Sequence, residues 1–248
     1  MNSGPVPLRD RLESVRERIR RAAERAGRPP GVVRLVAVVK TVPAALVAEA
    51  VALGVADLGE SRVQEAEAKI AQVGRRVARW HLIGHLQRNK VGRAVGLFDR
   101  VHSLDSAELA RALSARSVPD KESMAPAAVG TGPAPEGGRL RVLVEVNVGG
   151  EATKHGVAPG DARPLVEMVA ALPGLELDGL MTVGPAGAGP EDARAGFAQL
   201  RRLRDELEAA TGVRLPELSM GMSGDFEAAI AEGATMVRVG TALFGPRA

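Results

Sequence analysis

At 248 residues with 45% hydrophobic content, the chain can bury a sizeable core and suits one α/β barrel or two small domains. It contains no cysteine, which excludes a disulfide framework, a thiol nucleophile and a thiolate metal site, and is compatible with the cytoplasm, where we expect it to act. The net charge of +3 hides 30 acidic residues interspersed among 33 basic ones, and aromatics are 2% with no tyrosine, so neither a nucleic-acid patch nor a base-stacking platform is expected.

Met1 to Asp10 has no apolar run, so no secretory signal is visible, and nothing approaches the roughly 20 apolar residues of a membrane span. Pro7 to Arg25 reads as a helix, with Leu8, Leu12, Val15, Ile19 and Ala22/Ala23 forming one apolar stripe before Gly27 and Pro29-Pro30 stop it. Val33 to Val39 is a valine-rich strand, buried on both faces and ending in Lys40. Pro43 opens a helix through Leu53.

A second strand at Val55 to Gly59 precedes a helix from Val63 to Val73, and a third at Trp80 to Gly84 precedes one near Gln87 to Val95. A fourth at Phe98 to His102 leads, through Ser103 or Asp105 as cap, into a helix from Ala107 to Arg116. Residues 118–138 shift to Pro, Gly, Ala and Ser and read as a mobile loop insertion. Strands follow at Leu140 to Asn147, Leu175 to Met181, Glu217 to Ser219 and Thr235 to Val239. The intervening helices run from Ala162 to Ala171, Glu191 to Ala210 and Asp225 to Glu232. Eight strands alternating with helices after one extra N-terminal helix predict a single (β/α)8 TIM barrel over residues 1–248. The doubly wound alternative usually carries a glycine-rich fingerprint after its first strand, which is absent here.

In such a barrel the site lies at the C-terminal strand ends, with phosphate groups often held after strands seven and eight. Strand one ends in Lys40, one of only five lysines against 28 arginines. An amine that can lose its proton and attack a carbonyl is something only lysine supplies. After strand seven, Ser219, Ser223 and Gly224 offer hydroxyls and close backbone approach; after strand eight, Gly240 and Thr241 do the same. Taken singly, each loop reads first as a cap or a barrel-closing turn, because serine and glycine are common there. A lysine beside a phosphate cradle suits a ligand with both aldehyde and phosphate, such as pyridoxal 5'-phosphate, and Arg238 would face its pyridine nitrogen as an obligatory donor.

The runs Ala37 to Thr41, Gly59 to Glu65, Trp80 to Lys90, His102 to Asp105, Val146 to Glu151 with Lys154, Gly179 to Met181 and Leu218 to Gly245 resemble the pyridoxal phosphate homeostasis protein family, related to the barrel domain of alanine racemase. The resemblance implies that Lys40 holds the cofactor as an internal aldimine. It also implies that Ser219, Ser223, Gly224, Gly240 and Thr241 surround the phosphate, with Arg238 near the ring nitrogen. It further favours a carrier that passes the cofactor to apo enzymes, and we expect a cytoplasmic monomer. Ser61 stands where the family usually has Asn, and the 118–138 insertion is not a feature of that family. The alternative is a pyridoxal-phosphate-dependent amino-acid racemase. Racemisation needs an acid/base group on each face of Cα, and a chain without tyrosine or cysteine that ends at Ala248 leaves no obvious second one. We therefore expect no catalytic residues and no metal site. His81 and His85 are four apart but not on a helix, Glu60 and Glu65 read as a helix-start pair, and Lys154 is either solvated or a second aldehyde-reactive amine.

Overall fold

The apolar stripe of the first helix has a partner, and its location explains why the helix precedes the barrel. In the computed structural model, which describes residues 6–117, 139–151, 153–184 and 190–246, α1 (Leu8–Arg25) buries Leu8, Leu12, Val15, Ile19, Ala22 and Ala23. The chain then alternates β1 (Arg34–Val38), α2 (Ala44–Ala52), β2 (Asp57–Glu60), α3 (Val63–Val73), β3 (Arg79–Leu82), α4 (Val91–Leu97), β4 (Arg100–Leu104) and α5 (Ala107–Ser117). It continues through β5 (Leu140–Glu145), α6 (Ala162–Ala170), β6 (Leu175–Met181), α7 (Pro190–Thr211), β7 (Glu217–Ser219), α8 (Phe226–Ala231), β8 (Met236–Val239) and α9 (Thr241–Phe244). Among the described residues the eight strands close a parallel barrel in sequence order, with β1 paired to β8 through Val36 opposite Arg238. This is the expected (β/α)8 TIM barrel.

The α1 helix packs over α8 and α9, on the outer wall where β8 meets β1. Arg18 pairs with Glu227 at 2.7 Å and lies 4.5 Å over the Phe226 ring. After α1, Arg28 donates to the Ile230 and Ala234 carbonyls at 3.0 and 2.7 Å. No helix among the described residues is long and apolar enough to cross a membrane. The expected 118–138 loop lies outside the described residues, as do residues 185–189 of the glycine-rich turn before α7.

Several boundaries differ from the sequence reading. The first strand ends at Val38 rather than Lys40, because the chain turns there, with Val42 N–H donating to the Val39 carbonyl at 3.0 Å. Val55 and Phe98 are buried but precede their strands, so apolar character alone placed those strands too early. Neither Ser103 nor Asp105 caps α5: the Ser106 hydroxyl accepts from Leu109 N–H at 3.3 Å, and Ser103 donates to the Gly84 carbonyl at 2.7 Å. The α9 helix, read as a closing turn, was not anticipated.

The barrel interior is more polar than a valine-rich strand suggests. Val36, Leu143, Met181 and Met236 form a small apolar plug, and around it lie His81, Arg100, His102, Ser219 and Arg238, all buried. Two glycines are required by close approach. A Cβ on Gly179 (φ 155°) would lie 1.9 Å from the Glu217 carbonyl oxygen, and one on Gly221 (φ 92°) would lie 2.6 Å from the Ala229 Cβ. Gly221 lets the β7 exit fold tightly onto α8, which brings its carbonyl within 2.9 Å of Arg238 N–H.

Candidate functional site

The site is built where β1, β7 and β8 leave the barrel. Lys40 follows β1 in the turn Val39–Val42, whose next residue, Thr41, has φ 64°. Among the described residues it is the sole non-glycine with positive φ, and a β-branched side chain in that region is strained, a feature that collects at functional sites. The turn is braced from below by Lys69, which donates to the Val39 carbonyl at 2.8 Å and pairs with buried Glu60. Lys40 and Thr41 line a recess of about 300 Å³ together with Gly240, Thr241 and Phe244.

The Ser223 hydroxyl accepts from the N–H groups of Gly240 and Ala242 at 3.3 and 3.2 Å, so it ties the β7 exit to the start of α9 instead of capping α8. Asp225 takes the Met222 N–H at 2.5 Å. Gly224 is exposed, and a Cβ there would meet nothing within 4 Å. Thr241 is exposed at the first position of α9. Ser223, Gly240 and Thr241 are therefore brought together near Lys40, with Gly224 beside them on the same loop.

Ser219 has a different place. Its hydroxyl is fully buried and belongs to a chain that crosses the barrel interior. Arg238 Nη1 donates to Ser219 Oγ at 2.7 Å, Ser219 Oγ lies 2.9 Å from His102 Nδ1, His102 Nε2 lies 2.9 Å from His81 Nδ1, and His81 Nε2 lies 2.9 Å from Asp57 Oδ1. Arg79 clamps that carboxylate with two bonds of 2.7 Å. The two ends settle every proton between them. A guanidinium only donates, so Ser219 Oγ accepts from Arg238 and turns its own proton to His102. His102 then donates from Nε2 to His81, and His81 donates from Nε2 to the Asp57 carboxylate. Burial holds both imidazoles below their ordinary pKa and therefore neutral, as this order requires. Burial alone would raise Asp57, but its bonds from Arg79 and His81 outweigh that and keep it ionised.

The chain ends on Arg238, whose second anchor is Nη2 to the Thr182 carbonyl at 2.7 Å. Burial lowers this guanidinium from its ordinary value to about 10, which leaves it a cation at neutral pH. Glu145, at the end of β5, is buried in the same mouth, and its pKa rises from 4.5 to about 7. Burial is the main cause, Asp105 adds to it and Arg238 opposes it.

Glu145 has a consequence for stability. Below about pH 4.5 it is neutral in both folded and unfolded chains; between 4.5 and about 7 only the unfolded chain ionises, so folding loses stability as pH rises, and above that the loss is constant. Glu145→Gln is expected to be more stable than wild type by an amount that grows across this window to about 3 kcal/mol. Urea unfolding from pH 4 to pH 8 measures it; a gap independent of pH would show that Glu145 ionises normally.

The remaining candidates are distributed elsewhere. Lys154 donates to Glu151 at 2.6 Å and to the Gly184 carbonyl at 2.9 Å, tying the β5 exit loop to the β6 exit. Glu60 and Glu65 do not pair with each other: Glu60 binds Lys69 and Glu65 binds Arg62 at 3.1 Å. Ser61 lies against Gly84, where a Cβ would come within 2.5 Å of the Ser61 carbonyl oxygen. Sequence reasoning missed Asp57, His102, Glu145 and Thr182. A signal was present: Asp57, Arg100, His102, Glu217, Ser219 and Arg238 put polar side chains at every-second-residue inward positions of strands otherwise read as buried.

Comparison with known proteins gives consistent results. Residues 11–248 match the family described as alanine racemase, N-terminal domain. The chain is 44% identical over 238 residues to the pyridoxal phosphate homeostasis protein of Aquifex aeolicus, spanning 96% of this chain and 97% of that one. It is 45% identical over 240 residues to the protein of the same description from Pseudomonas aeruginosa, spanning 97% and 96% of the two chains. Among solved structures, PipY of Synechococcus elongatus with PLP bound is 38% identical, with a TM-score of 0.78 over 96% of this chain and 100% of that one.

Proposed function

Because the chain belongs to the pyridoxal phosphate homeostasis proteins, within the family built on the alanine racemase N-terminal domain, we propose that it binds pyridoxal 5'-phosphate at the β1–β7–β8 mouth and acts in holding and delivering that cofactor. The observation that supports this reading is that Lys40 lines one recess with Gly240 and Thr241 at the exits of β1 and β8, while β8 also carries Arg238, a buried guanidinium locked by Ser219 and the Thr182 carbonyl. The donor set fits the ligand. Lys40 supplies an amine for its carbonyl, the Ser223 loop with Gly224, Gly240 and Thr241 supplies donors for a phosphate, and Arg238 supplies a donor for a ring nitrogen. Ser219 then acts behind Arg238 rather than on the phosphate. When bound, the cofactor contributes an aldehyde that condenses with amines and a ring that draws electrons from the attached carbon. A donor that keeps its own proton leaves that ring a weaker electron sink, which suits retention better than carbanion chemistry.

The phosphate assignment has its own expected result. Ser223→Ala with Thr241→Ala should weaken cofactor retention, since hydrogen bonds to charged groups are worth roughly 1.5–3 kcal/mol each. Equilibrium dialysis measures this, and unchanged affinity would place the phosphate elsewhere.

The second reading is amino-acid racemisation, and Glu145 favours it. A carboxyl with a pKa of about 7 at the mouth is a suitable acid/base group. The two readings separate in one experiment. Cofactor-loaded protein is incubated with L-alanine in deuterated water and, in parallel, with an apo enzyme that requires the cofactor. The carrier reading expects activation of the apo enzyme and negligible Cα exchange. Exchange with inversion at about 1 per second or faster, lost in both Lys40→Ala and Glu145→Gln, would replace it with the racemase reading.

A further inference from the structure

The chain has four histidines. Two, His81 and His102, are consumed inside the barrel. The other two, His85 and His155, are exposed, come from loops 70 residues apart, and meet. Their rings stack at 3.9 Å between centroids and 10° between planes. His85 Nδ1 also lies 3.2 Å from Asp105 Oδ2. One donor atom from each of His85, Asp105 and His155 falls within 4.8 Å of the others. We propose that these three side chains form a binding site for a borderline divalent transition-metal ion, of the Zn²⁺, Co²⁺ or Ni²⁺ class.

Several features support this assignment. Two imidazoles and one carboxylate are the donor set that suits such ions, while hard oxygen-seeking ions prefer all-oxygen sites. Tetrahedral donors sharing one ion at about 2.0–2.1 Å stand roughly 3.3 Å apart, so closure brings these exposed side chains together by up to about 1.5 Å and turns the stacked rings until their lone pairs converge.

The loops that carry them are held in place. His85 follows Gly84, whose carbonyl takes the Ser103 hydroxyl. Asp105 follows β4, between Leu104 and the Ser106 cap of α5. His155 sits on a loop pinned by the Val157 N–H bond to the Glu145 carbonyl at 2.9 Å and by Asn147 Nδ2 to the Glu151 carbonyl at 2.9 Å. The site borders an open recess of about 480 Å³ lined by Gln87, Arg88 and Glu108, which leaves coordination positions to water. Its loops follow β3, β4 and β5, across the barrel from β7 and β8. The ion would therefore lie at the opposite rim from the proposed phosphate cradle, and the inference does not depend on the cofactor reading.

The test is a titration of the untagged full-length protein with Co²⁺, followed by visible absorption and by the histidine Cε1–H resonances. One equivalent should bind, with perturbation of the His85 and His155 signals and little change in those of His81 and His102. His85→Asn, His155→Asn and Asp105→Asn should each weaken binding by more than about tenfold, since even outer partners of metal ligands carry that much. Zn²⁺ should displace Co²⁺, and the visible spectrum of bound cofactor should be the same in variants and wild type. Binding that survives the double variant His85→Asn/His155→Asn, or no binding up to about 1 mM Co²⁺, a limit weaker than most specific sites, would overturn the proposal.

Discussion

Lys40→Ala is expected to abolish covalent retention of pyridoxal 5'-phosphate altogether. The wild-type protein should carry a visible absorption band when loaded, and borohydride should fix the ligand to the chain. The variant should show neither, while the phosphate donors around Ser223 still give weak, reversible binding. The reasoning is positional. Of the five lysines in the chain, Lys40 lines the recess shared with Gly240 and Thr241. Lys69 is buried against Glu60 and the Val39 carbonyl, and Lys154 is held by Glu151 and the Gly184 carbonyl. The strained Thr41 and the brace beneath Val39 both act on the position of Lys40. Peptide mapping after borohydride treatment identifies the modified residue. An undiminished band in Lys40→Ala, with label on Lys154, would move the attachment to the β5 exit loop.

Lys69→Met should cost the fold about 3–5 kcal/mol, because it leaves the Glu60 carboxylate buried without its cation. Glu60 is fully buried and Lys69 nearly so, and burial pushes the Glu60 carboxyl up while Lys69 opposes that shift. The substitution also removes the donor to the Val39 carbonyl, one residue before Lys40. A fall in Tm on the order of 10 °C is expected for a chain of this length. Lys69→Met/Glu60→Gln should recover a large part of it, since the uncompensated charge is gone. Thermal unfolding of both variants checks the account, and equal losses in the single and double variants would show that packing, not the ion pair, carries the effect.

The features that were legible in the sequence are local ones. The 3.6-residue stripe in α1, the valine run of β1 and the spacing of turn residues report on neighbours within one element, and from them the barrel follows. The meeting of the loops after β7 and β8 was readable for a similar reason: consecutive strand ends of a closed barrel are neighbours, and Ser223 bonds the Gly240 and Ala242 amides. Sequence reading gave no sign that Ser219 also joins the interior chain, because its partner, His102, is 117 positions away. A hydroxyl at a strand end looks the same in sequence whether it faces a ligand or the barrel axis, and only closure of the barrel decides which.

The same distinction separates the two kinds of information in this protein. Periodicity and composition determined by themselves the element order, the barrel and the end of it that carries Lys40 and Arg238, because burial of apolar side chains drives folding most strongly and follows a short repeat along the chain. The proton order from Arg238 to Asp57, the ionisation of Glu145, the Lys69 brace and the meeting of His85, Asp105 and His155 were decided by the tertiary structure. Each depends on distance and local dielectric between groups from different strands, and electrostatic energies change by an order of magnitude between water and a barrel interior.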